Sequence, residues 1–237
     1  MRQNVLITML AVSITPTLVV AQTASVDTTL NRLTPAEQAA GWRLLFDGRT
    51  TDGWRGFKLK GMPDGWKVVD GALTRVAAAG DILTTQKFAN FELDLEWKIS
   101  QGGNSGIFYR GSEDEDAIYW TAPEMQVLDD AHHEDGKSRL TSAGADYGLY
   151  EATPGIVKPA GQWNQVRLIV NGRHVEHWLN GVRLLQYELY SPDWEMRVKD
   201  SKFGAHPKYG RNAEGYVGLQ DHGDWVAFRN IKIHVLP

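Results

Sequence analysis

The stretch Phe91-Glu92-Leu93-Asp94-Leu95-Glu96-Trp97-Lys98-Ile99 alternates without a break between apolar and charged residues. A strand has a side-chain period of two, so Phe91, Leu93, Leu95, Trp97 and Ile99 share one face and the four charges share the other. A helix would scatter both sets around its axis. The pattern predicts a long strand with one face in a core and one in water, as antiparallel sheets provide. Glu92, Asp94 and Glu96 have the spacing of acids on the catalytic strand of some sandwich-fold glycosidases. The uniformly apolar opposite face assigns them to the solvent side instead.

Reading outward gives more strands and almost no helix. Upstream, Trp42–Phe46 is strand-like, and Trp66–Val69 and Ala72–Thr74 flank an Asp70-Gly71 hairpin turn. Downstream come Ile107–Arg110 and Glu124–Leu128. Trp163–Val170 and His174–Leu179 then flank Asn171-Gly172, and Asn180-Gly181 turns into Val182–Tyr187. Gly215–Gln220 and Val226–Val235 close the chain. Ser191–Ala213 reads as a long loop carrying Lys202 and His206. About ten short strands without βαβ spacing predict an all-β antiparallel β-sandwich or jelly roll. No linker interrupts residues 41–237, which are expected to form one domain. Residues 22–40 are read as a flexible leader and a short helix, with Thr34 as cap, Pro35 at its first position, Glu37 three residues after the cap and Gly41 as its stop.

Composition narrows the function. The 237 residues carry 25 basic and 29 acidic side chains, a net charge of −4, and no basic run, so nucleic acid is not an expected partner. There is no cysteine and no G-x-S-x-G, which removes disulfides and the cysteine and serine hydrolase motifs. Met1–Ala21 reads as a secretory signal: Arg2, a largely apolar Val5–Val20, then Val19-Val20-Ala21 before a cut. Ser13, Thr15 and Pro16 interrupt the run and argue against a membrane span. A periplasmic or secreted location is therefore expected.

The chemistry concentrates in Ala122–Gly136, APEMQVLDDAHHEDG. The strand period puts Glu124 and Gln126 on one face and Met125 and Val127 on the other. Asp129, Asp130, His132, His133 and Asp135 follow in the loop. These five are compatible with Ca²⁺, Zn²⁺ or Mn²⁺, but no EF-hand, HExxH or paired-cysteine spacing supports a tightly bound divalent metal. Other strands offer Arg110, His177 and Gln220-Asp221-His222. Polar side chains converging on a concave sheet with aromatic rings nearby suit a sugar.

Several motifs occur in order: Leu45-Phe46-Asp47-Gly48, Gly53-Trp54, Gly103-Asn104-Ser105-Gly106-Ile107, Glu124–Asp129, His177-Trp178-Leu179-Asn180-Gly181, Gly218–Gly223 and Phe228–Ile233. The ordered set resembles the bacterial 3-keto-disaccharide hydrolase family over about residues 41–237. The resemblance implies a concanavalin A-like lectin/glucanase sandwich and cleavage of glycosides already oxidised at sugar carbon 3. A ketone there acidifies the proton on carbon 2, so a base can drive loss of the aglycone from carbon 1. Hydration then gives net hydrolysis. Such a site needs a base, an acid, and a cation or donor for the enolate oxygen. The expected catalytic residues are Glu124 or His132 for proton transfer and Arg110 or Lys202 beside the enolate. Asn104, Gln126, Asp129, Tyr150, His177, Gln220 and His222 are the expected substrate-binding residues. The partner is a small sugar, no cofactor is certain, and a divalent metal and the oligomeric state are left open. A non-catalytic carbohydrate-binding module and an ordinary sandwich glycosidase are the competing readings.

Overall fold

The structure is a computed structural model that describes Met1 and residues 29–237. The expected secretory signal lies outside the described residues, as does the leader up to residue 28.

Thirteen strands are present among the described residues: β1 (Arg43–Leu44), β2 (Trp54–Gly56), β3 (Trp66–Val69), β4 (Ala72–Arg75), β5 (Ile82–Phe88), β6 (Phe91–Ile99), β7 (Asn104–Gly111), β8 (Glu124–Leu128), β9 (Asn164–Asn171), β10 (His174–Leu179), β11 (Val182–Glu188), β12 (Gly215–Leu219) and β13 (Val226–Val235). They form two sheets. The larger has the order β11-β10-β9-β6-β13-β4-β3, with β1 also paired to β13, and the smaller has the order β2-β5-β12-β7-β8. Every pairing is antiparallel. This is the expected all-β sandwich.

Burial along β6 alternates without exception, and Phe91, Leu93, Leu95, Trp97 and Ile99 all reach the core. There they meet Ile107 and Tyr109 of β7 and Met125 and Val127 of β8, facing them from the other sheet. Turn chemistry fixes the register of the hairpins. Asp70-Gly71 and Asn180-Gly181 both have positive φ at their two residues, the geometry that Asn and Asp followed by Gly tolerate best. The β9–β10 turn falls one residue later than its Asn-Gly pair suggests. Asn171 still pairs with His174, so Gly172 and Arg173 make the turn.

Two helices lie outside the sheets. α1 (Pro35–Ala39) carries a capping box between Thr34 and Glu37. α2 (Pro192–Asp200) replaces the first part of the loop expected over Ser191–Ala213. Its signals are local. Ser191 caps it, Pro192 opens it, and Trp194 and Val198, one turn apart, bury one face. A 3₁₀ turn, Lys202–Ala205, follows, and Phe203 stacks on Tyr209 at 4.0 Å. That aromatic anchor fixes Lys202 over the outer face of the smaller sheet.

Candidate active site

The outer face of the five-stranded sheet holds a cleft of about 590 Å³. Sheet registers explain its floor. Leu219 pairs with Ile82 and with Ile107, and Gly106 pairs with Gln126. Continuing those registers by one residue sets Asp81, Gln220, Gly106 and Gln126 in a row across four strands, and the Gln220 N–H donates to the Gly106 carbonyl. Glu124 lies two residues along β8 from Gln126, on the same face, and Asn104 lies two residues along β7 from Gly106. Phe57, Tyr119, Trp120, Tyr147, Lys202 and His222 help to form the walls.

Gly106 is the bare spot in this floor. A Cβ there would run into the Glu124 carboxyl, so the glycine makes room for the acid. The loops that carry Asp81 and His222 are tied together by Asp221. It accepts from Ala79 N (2.7 Å) and Gly80 N (2.9 Å) and pairs with Arg75 at 2.7 Å, while its own N–H donates to Asp81 Oδ1 at 2.9 Å.

The polar groups of the floor are buried and unsatisfied. Both amide atoms of Gln126, Oδ1 of Asn104 and Oε1 of Gln220 have no hydrogen-bond partner. Glu124 is 6% exposed, and its carboxyl makes no hydrogen bond or ion pair. Native proteins rarely leave such groups orphaned away from a site that a ligand or water completes. Burial pushes Glu124 up to about 8; the Lys202 charge opposes the rise, and Asp81, Asp146 and Asp135 add to it. Asp81 is pushed up to about 6, chiefly by burial, against the hydrogen bond from Asp221 N and with the Asp221 charge adding. Lys202 is lowered, because part of its surroundings excludes water even though the side chain as a whole is exposed. Its ammonium rests 4.3 Å from the centre of the Tyr147 ring and makes no ion pair. A neutral carboxylic acid, a free ammonium and a carboxyl that ionises near pH 6 thus share one cleft.

Residues 41–234 match the family described as the 3-keto-alpha-glucoside-1,2-lyase-like domain. The chain belongs to this family. A Bacteroides thetaiotaomicron protein named 3-keto-disaccharide hydrolase, similar to this lyase-like domain, is 38% identical over 231 residues, covering 84% of this chain and 79% of its own. The crystal structure of a proposed glycosyl hydrolase from Parabacteroides distasonis superposes with a TM-score of 0.81 at 37% identity, over 88% of this chain and all of that one. A Bacillus subtilis protein with a galectin-like fold gives a TM-score of 0.51 at 14% identity, covering 78% of this chain and 92% of its own. That likeness concerns the fold alone.

Within this lyase-like domain, Glu124, Lys202, Asn104, Gln126, Gln220 and His222 meet at the cleft, as the sequence suggests. Five other expected site residues do not. Arg110 has a φ of 51° at the end of β7, and its guanidinium donates to Ala89 O, Gly172 O and Asn90 Oδ1, bracing two turns. His177 shares the apolar face of β10 and is fully buried between the sheets. Its Nδ1 donates to Gly144 O at 2.9 Å, and Nε2 pairs with Tyr109 OH at 3.0 Å. Burial drives it down to about 4, so the ring is neutral. Tyr150 stacks on Tyr187 at 4.5 Å and donates to Asp193. Asp129 holds the loop by accepting from Gly102 N and pairing with His132 Nδ1, both at 2.8 Å. His132 points outward, its side chain 52% exposed. Among the described residues no three His, Asp or Glu side chains converge as a metal-holding group, so the 129–135 loop does not gather its acids and imidazoles around one point.

Asp81, Tyr147 and the Tyr119-Trp120 pair are cleft residues that the sequence does not single out. Gly80-Asp81 before the Ile82–Phe88 strand was the available cue for the first. The others lie in segments without a chemical motif.

Proposed function

We propose that this protein cleaves glycosides whose sugar already carries a ketone at carbon 3, by elimination across carbons 1 and 2 followed by hydration. One observation carries the proposal: Glu124 and Lys202, neither held in a hydrogen bond or ion pair, face a cleft floored by unsatisfied amides. The family, the Bacteroides relative and the Parabacteroides structure support glycoside cleavage. The family's description as a 1,2-lyase supports elimination.

The chemistry fits these groups. Loss of the carbon 2 proton places negative charge on the carbon 3 oxygen, where the Lys202 ammonium stabilises it. The glycosidic oxygen leaving carbon 1 needs a proton, and Glu124 is protonated at neutral pH because burial disfavours its anion. Asn104, Gln126 and Gln220 supply donors and acceptors for hydroxyls. Water then adds at carbon 1 and a proton at carbon 2, giving the free 3-keto sugar. The apolar run at Met1–Ala21 supports action outside the cytoplasm, which N-terminal sequencing of the exported protein checks.

The test is incubation with a glycoside and with its 3-keto form in deuterated water, following aglycone release and deuterium at carbon 2. Release from the keto form alone, with one deuterium at carbon 2, is expected. Equal cleavage of the unoxidised glycoside overturns the keto-sugar reading. Release without deuterium overturns elimination. Binding without release of either indicates a carbohydrate-binding module.

A further inference from the structure

We propose that Asp81 is the general base that removes the carbon 2 proton. The assignment rests on the 3-keto-glycoside reading above and adds to it the one group the reaction still needs. Three features of the structure point to Asp81.

The first is position. Asp81 and Gln126 end a single row across the floor, separated by Gln220 and the bare Gly106. Three strand spacings amount to roughly 14 Å between backbones. The Glu124 carboxyl occupies the space over the glycine between them, and a sugar ring seated above it faces both ends of the row. Asp81 then meets that ring from the side opposite β8, the strand that carries Glu124. A base at the β5 end and an acid rising from the floor over Gly106 give two separate points for proton removal at carbon 2 and proton delivery at the carbon 1 oxygen.

The second is construction. Only Oδ1 of Asp81 is engaged, by Asp221 N–H, and Oδ2 makes no hydrogen bond. Asp221 in turn is held by Ala79 N, Gly80 N, Gly223 N and Arg75. The Gly218–Gly223 motif thus aims a carboxylate that the protein itself does not use.

The third is electrostatic separation. The charged or titratable groups that share the cleft with Asp81 are Asp221 with its partner Arg75, His222, Glu124, Lys202, Asp116, Tyr119 and Tyr147. Asp81 ionises near pH 6 and Glu124 near pH 8, so at neutral pH one is a carboxylate and the other an acid.

The steps balance. Asp81 Oδ2 takes the carbon 2 proton, and the C–H pair forms the enolate with its charge on the carbon 3 oxygen. Collapse restores the ketone, forms the double bond between carbons 1 and 2, and breaks the bond to the glycosidic oxygen, which takes the Glu124 proton. In hydration, water adds to carbon 1 and gives its proton to Glu124, while Asp81 returns a proton to carbon 2. Both groups end as they began.

The test uses the full-length exported protein and Asp81→Asn, which keeps an oxygen for the Asp221 N–H but cannot accept the proton. Wild type is expected to show a normal isotope effect with substrate deuterated at carbon 2 and an acid limb near pH 6 in kcat/KM. Asp81→Asn is expected to lower kcat by about 10²–10⁴-fold, to lose that acid limb, and to bind the unoxidised glycoside within about twofold of wild type. Asp81→Glu restores part of the rate. A rate for Asp81→Asn within about threefold of wild type overturns the proposal, as does loss of the acid limb in His222→Gln but not in Asp81→Asn. Inactivity of wild type on every 3-keto glycoside sinks the reading of the cleft itself, a separate failure.

Discussion

β6 and β8 both carry acids on the outward faces of their sheets, and the fates of those acids differ. On β6, Glu92 pairs with Arg167 at 2.6 Å and Glu96 with Arg229 at 2.7 Å, while Lys98 sits over the rings of Trp163 and Trp225. On β8, Glu124 and Gln126 are more deeply buried and their side chains make no hydrogen bond or ion pair. Pairing across a sheet face is how a protein keeps charge at its surface at little cost. Burial without pairing raises the free energy of the ionised acid and is retained where a ligand completes the set. On β6 two of the three acids are thus engaged in surface pairing; the third, Asp94, has an unpartnered Oδ1 but no neighbouring unsatisfied amides on its strand, whereas on β8 an acid and an amide are left unpaired side by side in a cleft.

The largest break in that contrast should come from Glu124→Gln, which removes the proton and keeps the shape. It is expected to lower kcat/KM on a 3-keto glycoside by about 10²–10⁴-fold with an unchanged circular dichroism spectrum. Gly106→Ala tests the open floor. Its Cβ has no space beside the Glu124 carboxyl, so a loss of about 1–3 kcal/mol in chemical denaturation is expected. The loss should shrink in the Gly106→Ala/Glu124→Ala double variant, because the colliding atoms are gone.

Glu124 also leaves a signature in stability against pH. Its folded value, about 8, exceeds the unfolded value near 4.5, so the folded state holds the extra proton between those limits. Stability contributed by this group is full below about pH 4.5 and is lost as pH rises through 8. Glu124→Gln should therefore unfold later than wild type at pH 8.5, by roughly 1–3 kcal/mol, and the difference should fade towards pH 4.5. His177 works in the opposite sense: its lowered value, about 4, costs stability as pH falls from 6.5 to 4. The smallest effect belongs to the paired face. Glu96→Gln should change stability by no more than about 1 kcal/mol and leave kcat/KM unaltered.

Much of the fold was legible because its signals are local. The alternation of Phe91–Ile99 and the Asp70-Gly71 and Asn180-Gly181 turns depend on neighbours in sequence, and they give the sandwich and its inner faces. The motif set likewise gives the family. α2 escaped although Ser191 and Pro192 announced it, since a polar run rich in Asp and Lys reads equally well as a loop. Glu124 and Gln126 were legible as a pair on one face, because the period of two is a property of the strand itself. His177 and Arg110 misled for a related reason. A polar side chain on a strand looks functional until its partners are known, and those partners, Gly144, Tyr109, Ala89 and Gly172, lie far away in sequence.

The sequence by itself determined most strands and their faces, though not β2 or β5, two of the three tight hairpin turns, the absence of thiol chemistry and the family. The tertiary structure decided which polar residues remain without partners. It alone aligned Asp81, Gln220, Gly106 and Gln126 across four strands, placed Lys202 above them, and turned Arg110, His132 and His177 away. The reason is physical. Side-chain direction follows from local backbone geometry, whereas desolvation and unmet hydrogen bonds depend on what the rest of the chain brings alongside.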